Sequence, residues 1–382
     1  MTYRAIAPLP IIASFMAAKL SQDIAKLNWK ELGIGFFDIH LSGFALDRRP
    51  AISSCAPTLS KGRQPMNYTK TEAKAYAQAH MTGIWAAALN PFNDDLSLNE
   101  DGLRSNIRHW IDDLGIQGLF IAGKQGEFWS MSLAERKRNM TIAVDECAGK
   151  AGTIMSISDQ NMDTALELGR HAQDCGADYV VVHAPMLCFC QDRGELLYQY
   201  YKRFCDELDI GIAMWSHPDS GYLMQPEECA RIADLPNIVA IKYSVPREMY
   251  VRLTHMVGDK IHVSTSAEHD WLDNILELDW KLYLCSSPPY QLQTTRDQRM
   301  NEYTQLAFAG KADAARRVFD SLNPVRDAMK RTKPPGKPTA FGKYWQDLLG
   351  QTGGRVRAPM LELNQAEKDI IRKAFDECGL KL

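Results

Sequence analysis

Lys242 is the residue of this sequence with the clearest capacity for covalent chemistry. It directly follows the apolar run Asn237–Ile241, so it is expected at the end of a buried strand. Burial disfavours the charged ammonium, which lowers the pKa of a lysine and makes its neutral amine available for attack on a carbonyl group. The position therefore predicts Schiff-base chemistry. The structural alternative is a lysine that extends from the strand end into solvent.

Polar and aromatic residues also follow other apolar runs of the chain. Trp215, Ser216 and His217 end one such run, and Asn90 follows another. His217 is the preferred proton carrier, because imidazole exchanges protons near neutral pH. The other candidates for proton transfer are His183, Ser216, Tyr222 and Tyr243. For the histidines, a hydrogen-bonded packing role is the alternative.

Eight short apolar runs rich in Val, Ile and Ala alternate with amphipathic stretches after residue 82. They read IWAAAL, GLFIA, GTIMS, DYVVV, GIAM, NIVAI, IHVS and LYLC. Strands buried on both faces of a parallel sheet have this composition, and each interval accommodates one returning helix. The pattern predicts an α/β protein with a (β/α)8 TIM barrel, in which catalytic groups lie at the carboxyl ends of the strands. A doubly wound sheet is the alternative, but no G-x-G-x-x-G follows the first run.

Helix boundaries are marked between these runs. Start signals are Asn99, the capping box Ser132–Glu135 and Asp163, and stop signals are Gly115, Gly176 and Gly258. After the eighth run, three further helical stretches are predicted near 289–309, 312–330 and 364–379. Because they exceed what the last barrel helix requires, we expect a C-terminal helical appendage.

The chain divides into three predicted regions. Residues 1–65 lack regular periodicity and are expected to form an N-terminal extension that is poorly ordered or loosely attached. Residues 66–296 form the barrel, with a short helix expected from Met66 onward. Residues 297–382 form the C-terminal helical region.

The composition argues against several functional classes. The 382 residues carry 44 Lys+Arg and 47 Asp+Glu, a formal net charge of −3, which removes the electrostatic basis for nucleic-acid binding. The charge-free run Ala5–Ala18 is too short for a membrane span and contains Pro8 and Pro10. It resembles a secretory signal only faintly, and the nine cysteines form an odd set, so reduced thiols and a cytoplasmic location are expected. No metal is expected, because Cys188 and Cys190 lack a second ligand pair.

Four motifs occur in the order that is typical of one known family. They are GIWAAALNPF, then G-x-x-G-E-F-W-S-M-S-x-x-E-R, then LPNIVAIKYS, then GGRVRAPM. Together they resemble the dihydrodipicolinate synthase/N-acetylneuraminate lyase family over about residues 82 to 380. The G-x-x-G-E and I-V-A-I-K elements are fairly specific in combination and weak singly.

The resemblance implies a class I aldolase, or a related lyase or dehydratase, that binds pyruvate or another 2-oxo acid as a lysine imine. Lys242 matches the imine-forming lysine of the family. Gly123, Lys124, Gln125 and Gly126 match the loop that holds the carboxylate of the 2-oxo acid, and such glycines let backbone N–H groups face an anion. The resemblance also implies a homo-oligomer, either a tetramer or a dimer, and no metal or dissociable cofactor.

Several positions depart from the family pattern. Lys124 and Gln125 stand where the best-known members have the threonines of G-T-T-G-E, the first of which joins two tyrosines in a proton relay. Trp215 stands at the position of the tyrosine on the fifth strand, and Met186–Leu187 at that of an aromatic pair. These departures argue against dihydrodipicolinate synthase and sialic acid lyase activity themselves and require another proton carrier.

Two of the replacements suggest properties of the substrate. Lys124 either pairs with the substrate carboxylate and lowers the pKa of Lys242 through its charge, or is a solvated loop lysine. Trp215 either forms an apolar wall that suits an aromatic or poorly hydroxylated substrate tail, or is a core residue. Further expected substrate contacts are Tyr243 and Asn90.

The sequence therefore predicts a cytoplasmic barrel lyase that forms an imine between Lys242 and a small-molecule 2-oxo acid and makes or breaks a C–C bond. One alternative is a hydratase-aldolase or dehydratase that acts on a larger 2-oxo acid, aromatic ones included. The other alternative, from a different class, is a catalytically silent barrel that binds a metabolite or a partner.

Overall fold

The computed structural model describes residues 66–186, 190–284 and 289–382. The predicted N-terminal extension, residues 1–65, lies outside the described residues, as do Leu187 and Cys188. All statements below concern the described part of the chain.

Eight parallel strands form the centre of the fold. They are β1 (Gly83–Ala87), β2 (Gly118–Ile121), β3 (Gly152–Ser156), β4 (Tyr179–His183), β5 (Gly211–Ser216), β6 (Ile238–Tyr243), β7 (His262–Ser264) and β8 (Leu282–Leu284). The strand order in the sheet is β7-β6-β5-β4-β3-β2-β1-β8. Between β7 and β8, the Leu284 N–H donates to Ser264 Oγ at 2.8 Å, so the sheet returns to its first edge. The strands and the helices between them confirm the predicted TIM barrel.

Helices cover the outside of this barrel and extend beyond it. Helix α1 (Ala73–His80) precedes β1. The helices that return between strands are α2 (Glu100–Arg108), α3 (Leu133–Cys147), α4 (Met162–Cys175), α5 (Arg193–Glu207), α6 (Pro226–Ala233), α7 (Arg247–Val257) and α8 (Trp271–Leu278). The C-terminal helices are α9 (Arg299–Phe308), α10 (Ala312–Ser321), α11 (Asn323–Thr332), α12 (Pro338–Leu348) and α13 (Gln365–Glu377).

Trp85 fills the amino-terminal end of the barrel. A Cβ atom at Gly118 would lie 2.2 Å from the Trp85 ring, and one at Gly152 would lie 2.4 Å from it. Both glycines begin their strands, so the indole lies across the bottom of the barrel, where its Nε1–H donates to the Thr82 carbonyl at 2.9 Å. Because the bottom is filled by packed side chains, only the opposite end is available for a site.

The predicted helix boundaries agree with the structure in most places. Asn99 caps α2 by accepting the Gly102 N–H at 2.8 Å, and Ser132 forms the predicted capping box with Glu135. Gly176 ends α4 at a φ of 88°, a left-handed conformation that favours glycine. Asp163 lies in the first turn of α4, near the start of the helix as predicted, and Asn161 is the cap.

The C-terminal region differs from its prediction in three details. The stretch predicted at 312–330 is two helices, α10 and α11, and Pro324 lies in the first turn of the second one. The stretch predicted from 289 begins with a short 3-10 turn at Pro289–Gln291, and its α-helix starts only at Arg299. Helix α12 was not predicted. A proline at its first position marks its start, which is a helix signal in its own right.

Three general properties of the described residues bear on function. No helix among them combines the length and the apolar character needed to cross a bilayer. The cysteines of this part, Cys147, Cys175, Cys190, Cys205, Cys229 and Cys378, are free thiols. Within the same residues, no group of three or more His, Cys, Asp and Glu side chains is arranged to hold a metal ion.

Candidate active site

One row of side chains crosses the carboxyl end of the barrel. His183 on β4 pairs in register with Trp215 on β5, Trp215 pairs with Lys242 on β6, and Lys242 pairs with Ser264 on β7. Residues that pair in register on parallel strands project from the same face of the sheet, and neighbours in sequence project from the other face. The strands therefore bring His183, Trp215 and Lys242 together.

The Lys242 side chain faces the inside of the barrel. Its Nζ lies 4.7 Å from the centre of the Phe120 ring and 4.9 Å from that of Trp215. Phe120 belongs to β2, four positions away from β6 in the strand order, so the contact crosses the barrel. Lys242 is only 3% exposed, and aromatic ring faces stabilise a nearby cation. The structure therefore does not place this lysine in solvent, which was the structural alternative.

Lys124 lies above this row, at the rim of the barrel. Its Nζ is 3.0 Å from His217 Nδ1, forms an ion pair with Asp219, and lies 5.0 Å from the centre of the Trp215 ring. Its side chain is 25% exposed, so it is not a fully solvated loop lysine. Burial lowers the pKa of Lys124, and the hydrogen bond and charge of Asp219 oppose that shift.

His217 Nδ1 lies close to polar groups of Lys124 and Asp219. Its Nδ1 accepts the Asp219 N–H at 3.2 Å and faces the Lys124 ammonium. Burial and the charge of Lys124 lower the pKa of His217. Asp219 Oδ1 also lies 3.0 Å from Nδ1, so Nδ1 has both donors and an acceptor within reach, and either ring nitrogen can carry the proton of the neutral imidazole.

His183 and Trp215 each bury a polar ring atom. His183 Nδ1 donates to the Ala184 carbonyl at 2.7 Å, so its Nε2 is an acceptor. Burial, and secondly the charge of Lys124, lower the pKa of His183 to about 4, which keeps the ring neutral at neutral pH. The two ring centres are 4.8 Å apart at an interplanar angle of 79°. Within the described part of the chain, neither His183 Nε2 nor Trp215 Nε1 has a hydrogen-bond partner.

The loop Gly123–Gly126 passes close to the same rings. A Cβ atom at Gly123 would lie 2.8 Å from Phe120, and one at Gly126 would lie 3.0 Å from Asn90 Nδ2. The loop is flanked by Ala122 and Glu127, whose φ values of 56° and 54° are left-handed. Among the described residues, its backbone bonds are Glu127 N–H to Lys124 O and Phe128 N–H to Gly123 O. The backbone N–H groups of residues 124 to 126 donate in neither of these two hydrogen bonds. Backbone N–H groups at such a turn can bind an anion.

The far end of this loop is fixed by a buried polar network. Asn90 Nδ2 donates to the Gly126 carbonyl at 2.6 Å, and Asn139 donates to Asn90 Oδ1 at 2.8 Å. Glu127 is fully buried and pairs with Lys343 Nζ at 2.6 Å, while the Arg357 N–H donates to Glu127 Oε2 at 2.9 Å. Burial lowers the pKa of Lys343, and the charge of Glu127 opposes the shift. Asn90 therefore positions the loop, and its predicted contact with substrate stays a prediction.

Ser216 and Tyr243 lie on the other face of their strands. Ser216 Oγ accepts the Met224 N–H at 3.1 Å, and the Tyr243 hydroxyl donates to the Met224 carbonyl at 2.5 Å. The structure therefore does not bring either residue together with Lys242. Alternation along a strand carries this information, since Ser216 and Tyr243 directly follow the inward-facing Trp215 and Lys242. Tyr222 is likewise engaged elsewhere, with its hydroxyl 2.7 Å from Glu228.

Three residues of the site were not identified from the sequence. Phe120 and Lys343 are far in sequence from the residues they contact, and no local pattern marks them. Asp219 has a local signal, because it follows His217 and Pro218 in a short turn at a strand end. Two surface clefts, of about 410 and 580 Å³, are lined by other residues and share none with this site.

Comparisons with known proteins bear on this arrangement. The model of the dihydrodipicolinate synthetase family matches residues 80–377. The 4-hydroxy-tetrahydrodipicolinate synthase of Methanothrix thermoacetophila is 29% identical over 304 residues, which are 78% of this chain and 98% of that protein. The N-acetylneuraminate lyase of Clostridium perfringens (strain SM101) is 33% identical over 165 residues, which are 43% of this chain and 57% of that protein.

Solved structures agree in fold. YagE, a prophage protein from E. coli K12 solved in complex with pyruvate, has a TM-score of 0.69 at 21% identity. The matched region covers 78% of this chain and 99% of the YagE chain. The dihydrodipicolinate synthase of Aquifex aeolicus has a TM-score of 0.68 at 21% identity. The matched region covers 79% of this chain and 99% of that structure's chain. These likenesses support the barrel architecture.

Proposed function

The chain belongs to the dihydrodipicolinate synthetase family of class I, Schiff-base-forming aldolases and lyases, and we propose that it makes or breaks a C–C bond of a 2-oxo acid held as an imine on Lys242. The observation that carries this proposal is the position of the Lys242 amine. It is buried inside the barrel mouth, between two aromatic rings and within the row that also holds Trp215 and His183.

The proposed reaction needs only groups of this chain and the substrate. The neutral Lys242 amine adds to C2 of the 2-oxo acid, and the resulting carbinolamine loses water to give a protonated imine. When the C3–C4 bond of a 4-hydroxy-2-oxo acid breaks, its electron pair forms an enamine, the hydroxyl proton passes to the neutral His183 Nε2, and an aldehyde departs. Protonation of the enamine at C3 and hydrolysis of the imine then release pyruvate and restore the amine.

The carboxylate of the 2-oxo acid is assigned to the loop Gly123–Gly126. Its backbone N–H groups and the Lys124 ammonium give this loop a positive character. An ammonium has three donor positions. Those of Lys124 serve His217 Nδ1 and Asp219, which leaves one for a carboxylate oxygen. This arrangement supports an electrostatic contact where the best-known family members have threonine.

His217 is the proposed proton carrier. With its ring proton on Nε2, His217 is suited to protonate the hydroxyl group that leaves the carbinolamine as water. As that proton leaves, Lys124 Nζ–H, 3.0 Å from Nδ1, can supply another to the opposite nitrogen, so no imidazolate accumulates. Burial lowers the pKa of Lys124, which makes its ammonium a stronger acid for this transfer.

Reduction with borohydride in the presence of pyruvate tests the proposal. An imine on Lys242 becomes a stable secondary amine, and the mass of the peptide that contains Lys242 rises accordingly. Lys242→Met is expected to abolish the modification. Lys150→Met is a matched control, because Lys150 lies in an exposed ion pair with Asp112. Capture that persists in Lys242→Met, or is absent from the wild-type chain with every 2-oxo acid tried, would overturn the proposal in favour of a silent binding barrel.

A second candidate function is hydration and cleavage, or dehydration, of a larger 2-oxo acid. It is favoured by the aromatic surface that Phe120 and Trp215 form around Lys242, with ring centres 5.4 Å apart. Product analysis separates the two functions. Pyruvate plus an aldehyde indicates cleavage alone, whereas an unsaturated 2-oxo acid interconverting with its hydrated form indicates a hydratase or dehydratase.

The assembly and location of the chain are further proposals. We propose a homo-oligomer, either a dimer or a tetramer, since the family is typically oligomeric. We also propose a cytoplasmic location, which the free thiols of the described residues support because disulfides form in oxidising compartments. Analytical ultracentrifugation and cell fractionation test these two statements separately.

A further inference from the structure

We propose that His183 Nε2 and the Trp215 Nε1–H together bind a hydroxyl group on carbon 4 of the substrate. This inference rests on the proposed imine between Lys242 and a 2-oxo acid, and it adds the residues that select a substrate with a hydroxyl group at this position. The substrate would be a 4-hydroxy-2-oxo acid rather than a 2-oxo acid with an unsubstituted chain.

The first argument is the state of the two ring nitrogens. Trp215 is 2% exposed. Among the described residues, neither its Nε1 nor His183 Nε2 has a hydrogen-bond partner, although both atoms are buried. Buried polar atoms without partners are rare, because each forfeits its hydrogen bonds to water. The two rings adjoin, with centres 4.8 Å apart, and both lie in the reacting row, so we infer a ligand group that supplies both partners.

The chemistry of the two atoms selects that group. Trp215 Nε1–H can only donate, and the neutral His183 Nε2 can only accept. A hydroxyl group both accepts and donates, so one oxygen can satisfy both atoms. A carboxylate or carbonyl oxygen accepts only and leaves His183 unsatisfied, whereas an ammonium group donates only and leaves Trp215 unsatisfied. A methyl or phenyl group satisfies neither atom.

The geometry of the row places such a hydroxyl close to the reacting carbon. The Trp215 ring centre lies 4.9 Å from Lys242 Nζ and 4.8 Å from the His183 ring centre. In an imine on Lys242, the oxygen on carbon 4 lies roughly 4 Å from Nζ by ordinary bond lengths. A hydroxyl on carbon 4 is thus within reach of the Trp215 ring while the chain stays attached.

The protonation state of His183 agrees with a role in recognition. Its ring is neutral at neutral pH, since burial and the charge of Lys124 disfavour protonation. We therefore assign His183 and Trp215 to recognition of the substrate hydroxyl, whose hydrogen faces His183 Nε2 before the C3–C4 bond breaks. Trp215 accordingly has two functions. Its ring face lies toward Lys242 and Lys124. Its N–H selects one hydroxyl group on a substrate that is otherwise expected to be poorly hydroxylated.

Competition between two matched acids tests the inference. Borohydride capture on Lys242 is measured as a function of concentration with 4-hydroxy-2-oxopentanoate and with 2-oxopentanoate, which lacks the hydroxyl. Adducts of the intact acid and of pyruvate left by its cleavage are counted together. We expect the wild-type protein to capture the hydroxylated acid at about tenfold lower concentration, as suits a pair of buried hydrogen bonds.

Two variants remove one partner each. Trp215→Phe deletes the donor and keeps a ring, and His183→Asn keeps a donor for the Ala184 carbonyl but has no atom at the Nε2 position. Each is expected to reduce the preference to less than about threefold, because only one hydrogen bond remains. Trp85→Phe is the matched control. Its indole N–H is bonded to Thr82 at the other end of the barrel, so the preference should persist.

The outcomes separate this inference from the function on which it depends. If neither acid is captured on Lys242, the proposed imine is wrong. If both acids are captured equally well by the wild-type protein, the two nitrogens bind an ordered water only and the hydroxyl inference is wrong. The same conclusion follows if Trp215→Phe and His183→Asn both keep the wild-type preference.

Discussion

The two sides of the barrel mouth handle their buried polar groups differently. On one side, Asn90, Glu127, Asn139, Lys343 and Arg357 form a network that we call the anchored side. Its members bond mainly to one another, with the Glu127–Lys343 pair at 2.6 Å as its centre. On the other side, Lys124, His183, Trp215, His217 and Lys242 form what we call the open side. There, two buried ring nitrogens have no partner among the described residues.

This difference distinguishes structural from functional polar groups. A buried charge that meets its partner inside the protein holds the fold in place, and the loss of one partner leaves the other uncompensated. A buried polar group without a partner instead lowers stability until a ligand arrives. The anchored side is not perfectly satisfied, since Asn139 Oδ1 and Glu127 Oε1 also have no hydrogen bond among the described residues, although Glu127 Oε1 lies 2.6 Å from Lys343 Nζ in an ion pair. The contrast predicts that variants of the two sides fail in different ways.

The largest expected effect is on catalysis, at the open side. Lys242→Met is expected to lower turnover by about 10⁴-fold or more, because no other residue replaces a covalent nucleophile. The free energy of unfolding should change less than in the corresponding variant of Lys343, since a methionine suits the contact with Phe120 and Trp215. Steady-state kinetics and urea denaturation measure the two quantities. Residual turnover near that of the wild type would falsify the assignment of Lys242.

The second effect is on stability, at the anchored side. Lys343→Met is expected to lower the free energy of unfolding by about 3–5 kcal/mol, because the fully buried Glu127 carboxylate loses its cation. Lys150→Met removes one partner of an exposed pair and should cost less than about 1 kcal/mol. The double variant Lys343→Met with Glu127→Gln should recover part of the lost free energy of unfolding, because the buried side chain is then uncharged. The comparison fails if Lys343→Met and Lys150→Met are equally stable in urea.

The third prediction uses pH to separate the sides. The pKa of His183 falls from 6.5 to about 4 on folding, so between these values the unfolded chain binds more protons and stability falls as the pH is lowered. The expected loss between pH 7 and pH 4 is at most about 3 kcal/mol. His183→Asn should lack this component. Next to the anchored side, hydrogen bonds from Arg357 lower the pKa of Glu135 from 4.5 to about 2. The stability that Glu135 contributes is therefore lost only below about pH 4.5.

Unfolding curves of both proteins, measured at several pH values, check this prediction. Other carboxylates titrate in the same range, and they are common to the wild type and His183→Asn. The difference between the two curves therefore isolates the histidine. Parallel curves between pH 7 and pH 4 would show that His183 is not held neutral by burial.

The barrel and the open side were largely predictable from the sequence. The strands are apolar runs of ordinary length, and Lys242, Trp215 and His217 sit where those runs end, so the position of each was visible locally. Ser216 and Tyr243 were grouped with them because adjacency in sequence was read as proximity in space. On a strand, adjacent residues project to opposite faces, and both side chains bond to Met224 instead.

The anchored side was not predictable in the same way. Its central pair joins a residue that follows β2 to a residue of α12, a helix that was itself missed. No period or spacing connects Glu127 with Lys343, because the contact arises only when the C-terminal region packs against the barrel. Phe120 illustrates the same limit, since it reads as one more buried strand residue and its place beside Lys242 depends on the closure of the sheet.

The smallest predicted effect concerns Lys124, which lies at the rim of the open side. Lys124→Met is expected to weaken capture of a 2-oxo acid about tenfold, because it removes one partly exposed hydrogen bond from a charged donor. In the wild type, capture should weaken as the pH rises through the lowered pKa of Lys124, because only the ammonium attracts a carboxylate. Asp219→Asn removes the charge that opposes this lowering, so it should move the decline to lower pH. If Lys124→Met leaves both the affinity and the pH profile unchanged, Lys124 has no part in carboxylate binding, and the loop N–H groups alone account for it.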